Sequence, residues 1–577
     1  MSAHLLSRFA AARTLPRQIA STSQWVRHGS TGRPRSRIPV YLFGLLAGAG
    51  MYGAGAWAYP RYFSTPEVSG PGQAEIVFEK PRKHGRSKEE NRELLSTQHV
   101  QVKNSWEHPG VYAWGTNVGR VVAPDSDEAV IKHPRRIRYF DGQLLRDLKM
   151  DRDFGAAVAE NGDLLQWGTA FDKNTTGPVV TLKGKDLVKL AISQDRILGL
   201  SSSGSVYSVP VARADQEAGE KPASSSWFPF WSGASSVSYR NLIPQKLGWG
   251  EKVVDIKSGL EHCLLLTSKG RVYSAASSTE SFPGKGQLGV PGFTWETRPE
   301  GPFYQPHEVS ALSSYNIKQI AAGDFHSLAL DSEGRVFCFG DNSFGQLGFE
   351  IQPEAPYVAT PSQLPVNKLY KGTNLLPKVT SIAAGGPNSF FTVDARKVQS
   401  RDSTEIVPAR ELGRIVAEAW ACGEGIHGSL GNGKWTHISR APSKIKALSD
   451  LNEFDEKTNS VVPIRFAQLS VGTSHVCAVL DNATYLAASQ QTSSNDTNFG
   501  ADALLWGGNE YYQLGTGKRS NLNTPAHIAP LDGGEFGESS RFQVTPRTIV
   551  RLGDGRKASV EQRVECGRLA TAVYSST

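Results

Sequence analysis

The sequence predicts an all-β fold, a seven-bladed β-propeller closed by pairing of its N- and C-terminal strands. Three observations lead there: a recurring strand and turn unit, irregular spacing between its copies, and two half-units at opposite ends of the chain. The unit is clearest from Ile320, which opens IAAGDFHSLALDSEGRVFCFGDNSFGQLG. A Gly turn leads into a short alternating strand, then a second Gly turn, then a strand ending in an aromatic residue and Gly.

The same order returns from Ile256 (IKSGLEHCLLLTSKGRVYS) and from Leu469 (LSVGTSHVCAVL), the latter completed after an insertion by LLWGGNEYYQLG from Leu504. Worn copies occupy residues 148–168 and 190–207, and another first strand at 382–393 has its partner at Trp420-Ala421-Cys422-Gly423. Aligning the first glycine or its replacement gives Asp151, Ser193, Gly259, Gly323, Gly385, Gly472 and Gly567, at intervals of 42, 66, 64, 62, 87 and 95 residues. A regular solenoid tolerates such spread poorly, whereas propeller blades absorb it as rim loops. The long insertions are expected at about 208–247, 394–418, 481–503 and 521–562.

The ends explain each other. Residues 111–117 (VYAWGTN) form a second half without a first, and residues 565–574 (ECGRLATAVY) a first half without a second. Joined, they complete one blade and remove an open edge.

Composition narrows the function. The chain of 577 residues carries a formal charge of +8. Residues 1–66 hold eight arginines and no lysine, aspartate or glutamate, which leaves 55 basic and 55 acidic residues in the remainder. A neutral body disfavours direct nucleic-acid binding, which requires phosphate neutralisation.

Residues 1–37, rich in Arg, Ser and Ala and free of acids, read as a mitochondrial presequence. Residues 40–59 (VYLFGLLAGAGMYGAGAWAY) form an uncharged run long enough to cross a bilayer, so a single transmembrane helix is expected there. Arg33, Arg35 and Arg37 before the run compete with Lys80, Arg82, Lys83, Arg86 and Lys88 after it. The mitochondrial inner membrane is the expected location, with the side of the soluble body open. Residues 60–104 read as a spacer and 105–577 as the propeller.

No catalytic, cofactor or metal site emerges. His262, His326 and His475 each stand three residues after a repeat glycine, an equivalence that points to a shared packing role. Cys263, Cys338, Cys422, Cys477 and Cys566 form no C-x-x-C pair and are expected as free buried thiols. Residues 284–289 match G-x-G-x-x-G but end in the repeat's own GQLG turn, outside the strand-to-helix setting of a dinucleotide site. Trp227, Phe228, Phe230 and Trp231 put four aromatics in five residues without charge; exposed, they mark a partner contact, and folded back they plug a gap.

With its GQLG turns, G-x-x-H-S-x-A-L pattern and WGxN strand ends, the region from about 105 to 575 resembles the regulator of chromosome condensation repeat family. Combined with a mitochondrial anchor, it resembles the fungal mitochondrial inner-membrane members, which are linked to assembly of respiratory complex III. The resemblance implies a non-enzymatic scaffold for respiratory-complex subunits or assembly intermediates, anchored through residues 40–59. Two alternatives stay open: guanine-nucleotide exchange on a mitochondrial GTPase, as the founding member acts on a small nuclear GTPase, and a mitochondrial ribosome-associated role.

Overall fold

The computed structural model describes residues 97–577, apart from 223–236, 279–280, 294–295, 298–303, 401–402, 404–405, 456–458, 483, 487–496, 534–539 and 553–554. The chain divides into two compact units, 1–82 and 83–577, and every described residue belongs to the second. Among the described residues no helix is long and apolar enough to cross a membrane. The expected presequence and the span 40–59 lie outside those residues.

The body is an all-β propeller. Five separate sheets follow along the chain, each built from neighbouring antiparallel strands. The first pairs Leu187–Ile192, Arg196–Ser201, Val206–Pro210 and Arg240–Asn241. The second pairs Val253–Ser258, His262–Thr267, Val272–Ala276 and His307–Glu308. The third runs from Ile317–Ala322 through His326–Asp331 and Val336–Asp341 to Tyr357–Gln363. The fourth comprises Leu375–Gly385, Asn388–Lys397, Ile415–Gly423 and Ser443–Lys444. The fifth joins Phe466–Val471, His475–Leu480, Ala501–Gly507 and Leu522–Ala526, with Gln543–Val544 pairing off its path.

The remaining strands overturn the expected count of seven blades: among the described residues five blades stand as separate sheets, Asn452–Asp455 with Ser460–Pro463 and Thr484–Leu486 with Thr497–Phe499 make two small two-stranded sheets, and the rest form one nine-stranded sheet. In it Val111–Thr116 pairs antiparallel with Ala570–Ser576, and Leu145–Met150 lies alongside the latter. The fusion rests on one residue pair, Leu145 parallel to Ser576, reinforced by Thr577 N donating to Leu145 O at 3.1 Å. Spacing of repeats carries no trace of such a contact, because it arises only when the last residues of the chain meet the start of another strand.

The second and third strands of most sheets are buried on both faces, because each sheet is covered by its neighbours. His262–Thr267, His326–Asp331, Val336–Asp341 and His475–Leu480 are buried throughout. Such strands read as apolar runs rather than as strict alternation. Six of the innermost strands share another feature, a register irregularity, which falls between the first and third residues at Leu145/Asp147, Leu187/Lys189, Val253/Asp255, Ile317/Gln319 and Phe466/Gln468, and inside the longer strand Leu375–Gly385 at Val379/Ser381. A bulge at that point re-aims the following side chain.

The repeat's tryptophans tie strands to turns that lie far away in the chain. Trp114 Nε1 donates to Gln513 O at 2.8 Å, Trp506 Nε1 to Ser429 O at 2.8 Å and Trp167 Nε1 to Val121 O at 2.9 Å. All three indoles are fully buried, so each N–H needs the carbonyl it finds.

Candidate functional site

Three places in the fold concentrate chemistry: the histidine positions, the central channel and one loop face. The imidazoles are inter-sheet braces. His262 Nε2 lies 2.9 Å from Ser327 Oγ, His326 Nε2 2.8 Å from Ser389 Oγ, and His475 Nε2 2.8 Å from Thr571 Oγ1. Ser327 and Thr571 donate their own hydroxyl protons to Gln287 O and Gln513 O, at 2.9 and 2.7 Å. Their hydroxyls therefore accept from the ring, which fixes His262 and His475 as the neutral form protonated on Nε2. Burial pushes His262 and His475 down to about 3 and His326 to about 4, so all three are uncharged at neutral pH.

The channel is lined by the innermost strands. A cavity of about 360 Å³ at one end touches Met150, Ser193, Gly259, Gly323, Gly385, Gly472 and Gly567, and another of about 450 Å³ shares Lys149, Lys257 and Glu565 with it. The side chains re-aimed by the bulges bind adjacent strands. Gln319 donates to Ile382 O at 2.8 Å and accepts from Ile382 N at 3.1 Å; Gln468 does the same to Val564, at 2.6 and 3.2 Å. Asp147 accepts from Leu190 N at 2.7 Å, and Lys189 reaches Asp255 at 3.0 Å.

Charge in the channel is compensated internally. Lys149 Nζ sits 2.8 Å from Glu565 and 3.9 Å from Asp147. Burial alone would lower the ammonium, but the charges of Glu565 and Asp147 outweigh it and raise its pKa. At the glycine-lined end, Arg568 pairs with Asp151 at 3.1 Å and approaches Asp324 at 4.0 Å. Burial raises the Asp324 carboxyl, with Arg568 opposing and Asp151 adding. These groups cross-link strands and leave no activated nucleophile. Among the described residues no group of His, Cys, Asp or Glu is arranged to hold a metal ion.

The five cysteines are free and buried, and burial raises every thiol, Cys263 to about 12. Gly284–Gly289 forms a turn in which Gly286 and Gly289 have φ of +75° and +65°, with no helix following. Trp227, Phe228, Phe230 and Trp231 lie outside the described residues.

An apolar face not singled out from the sequence is built on the loop 424–442. Ile426 is 48 % exposed, Trp435 55 % and Ile438 40 %, and the Phe344 ring from the preceding sheet's turn lies 5.8 Å from His437. The loop is held firmly: Gly425 bridges Thr436, Ser439 N donates to Gly423 O at 3.0 Å, and Gly433 N to Asn523 O at 2.9 Å. His427 stands 3.7 Å from Glu510 and His437 3.9 Å from Glu424. In the sequence these apolar residues are scattered among polar ones, and the Gly425–Thr436 bridge sets the backbones of Ile426 and Trp435 side by side.

Residues 317–346 and 333–391 match the family profiles described as regulator of chromosome condensation (RCC1) repeat. Among known proteins, the chain is similar to "Protein FMP25, mitochondrial" of Saccharomyces cerevisiae, 26 % identical over 452 residues that cover 74 % of this chain and 67 % of the relative. It is also similar to "Protein pim1" of Schizosaccharomyces pombe, 26 % identical over 340 residues, 52 % of this chain and 56 % of that one. The chain thus spans about two thirds of the first relative and just over half of the second. Among solved structures, human WBSCR16 aligns with a TM-score of 0.52 at 18 % identity, over 81 % of this chain and 99 % of the other. Yeast RCC1 (Prp20), solved bound to Kap60, aligns with a TM-score of 0.50 at 16 % identity, over 88 % and 95 %. The His326 and Gln319 contacts described above fall within the matched residues, and residues 317–391 of this chain carry repeats of the regulator of chromosome condensation family.

Proposed function

We propose that this chain is a non-enzymatic protein-interaction scaffold in mitochondria, whose clients are subunits or assembly intermediates of a respiratory-chain complex, complex III foremost. The observation that carries the scaffold reading is the firmly held apolar face around Ile426, Trp435 and Ile438, which offers an aromatic anchor of the kind that dominates protein contacts. The mitochondrial placement draws on the similarity to the yeast protein named as mitochondrial. Affinity would come from loop contacts on a rigid support, without chemistry on a substrate.

Deleting the protein should reduce one respiratory complex on native gels, and Trp435→Ala combined with Ile426→Ser should reproduce the loss at normal protein abundance. Respiratory complexes that are all normal after deletion would sink the reading. Exchange on a mitochondrial GTPase is separated by a direct nucleotide-release assay, and a ribosome-associated role by sedimentation with ribosomal subunits.

A further inference from the structure

Trp249 is 99 % exposed at the tip of the loop between Arg240–Asn241 and Val253–Ser258. A tryptophan fully in water demands a reason, and this loop is built rather than slack. The buried Glu251 carboxylate accepts from Gly248 N at 2.8 Å and from Arg271 Nε and Nη2 at 3.0 and 2.7 Å. Arg271 Nη2 also donates to Lys246 O at 2.9 Å. Bonding to Arg271 holds the Glu251 carboxyl at about 2, so the clamp stays charged far below neutral pH. Gly250, at φ +70°, turns the chain back behind the indole.

The surroundings of the indole are cationic. Lys246, Lys252 and Lys269 are exposed, and among the described residues none of them pairs with a carboxylate. Lys269 stands beside Gly248, where an added Cβ would come within 2.7 Å of its Nζ, and Lys252 Nζ donates only to Ser202 O at 3.1 Å. Ile243, 66 % exposed, adds apolar surface on the same connection.

We propose that this loop is a peripheral lipid-docking site, in which Trp249 enters the headgroup boundary of an anionic bilayer while Lys246, Lys252 and Lys269 meet lipid phosphates. An indole at the interface with lysines whose stems lie along it is the arrangement bilayers favour. A protein hot spot, by contrast, surrounds its tryptophan with near-neutral contacts that exclude water, and this convex tip has none. Three cations without acidic partners complement a surface of fixed negative charge. The inference does not depend on the scaffold reading.

The test uses the full chain carrying Trp249→Cys, labelled with an environment-sensitive fluorophore; the native thiols are all buried, so the label is selective. Vesicles of phosphatidylcholine with phosphatidylserine should shift the emission to the blue, and vesicles of phosphatidylcholine alone should not. The same label at Ser520→Cys should not respond. Changing Lys246, Lys252 and Lys269 together to Gln should lower binding at this site roughly 100-fold. These side chains are exposed, and unchanged thermal melting verifies that each variant folds. No response at position 249 on sedimented, vesicle-bound protein would overturn the proposal, as would an equal response to both vesicle types. A response to an added mitochondrial protein but not to vesicles would overturn it in favour of a protein partner.

Discussion

His326 Nε2 and Ser389 Oγ stand 2.8 Å apart across two sheets, and the serine is the residue that follows the position equivalent to His326 in the next repeat. The same offset joins His262 to Ser327 and His475 to Thr571. Where the next repeat offers no hydroxyl, the histidine is absent. Arg196 would face Cys263 and instead bonds Ser208 within its own sheet, at 3.0 Å to Oγ and 3.0 Å to O. Asn388 would face Val476 and bonds Ser429 at 3.3 Å. Histidine and hydroxyl form one device shared between neighbouring sheets.

Removing the hydroxyl from one brace should therefore be costly. Thr571→Val strands the buried Nε2–H of His475 and should lower unfolding free energy by about 1–3 kcal/mol in urea titration. His475→Ala adds a cavity to the lost bond and should cost more, about 3 kcal/mol. Equal stability of Thr571→Val and the parent would mean the brace contributes nothing.

Acid should loosen the propeller through the same residues. Their folded pKa values, about 3 to 4, lie below the ordinary 6.5, so the unfolded chain binds protons that the folded chain refuses. Stability is lost as pH falls below about 6.5, by about 1.4 kcal/mol per pH unit for each histidine, down to its folded pKa. Urea midpoints at pH 7.5, 5.5 and 4.5 check this, and His262→Gln should show a shallower decline than the parent.

Two glycines separate steric from conformational demands. A Cβ on Gly323 would collide with the His326 ring and with Gly386 O, which is backbone, so Gly323→Ala should destabilise by about 3 kcal/mol. Gly372, at φ +80° with nothing within 4 Å of an added Cβ, should lose only about 1 kcal/mol on the same change. Thermal melts of both variants measure the difference.

Lys149→Met should leave the Glu565 carboxylate unpaired beside Asp147 and cost about 3–5 kcal/mol. Adding Glu565→Leu should restore a good part of that loss. A double-mutant cycle by chemical denaturation reads the coupling, and strict additivity would rule out the ion pair as a cross-link between the strands Leu145–Met150 and Lys557–Cys566.

Much of the scaffold was legible because the repeat encodes its own contacts. Gly at the strand start, Gln in the GQLG turn and Trp before Gly each serve one hydrogen bond or one close approach, so their order survives in the sequence even through worn copies. Gln346 and Gln513 accept from the turn backbone at Phe344 and Tyr511, both at 2.9 Å, which is why that residue recurs. The histidine-to-hydroxyl rule was also present in the sequence, as a pairing of one repeat with the next, but it is invisible until the sheets are placed side by side. The exposed faces were not legible: Trp249 stands before Gly250 as the buried tryptophans of the repeat stand before theirs, and nothing around Trp435 in the sequence marks it as exposed.

By itself, the sequence determined the strand and turn order, the all-β class and the glycine and histidine positions, because these follow from local backbone demands and from periodicity. Only the tertiary structure decided that five sheets stand apart while the chain ends fuse into a nine-stranded one. It also decided which charges pair across the channel and which tryptophans meet water. Those outcomes depend on contacts between residues hundreds of positions apart, such as Leu145 with Ser576 and Lys149 with Glu565, and no local pattern records such distances.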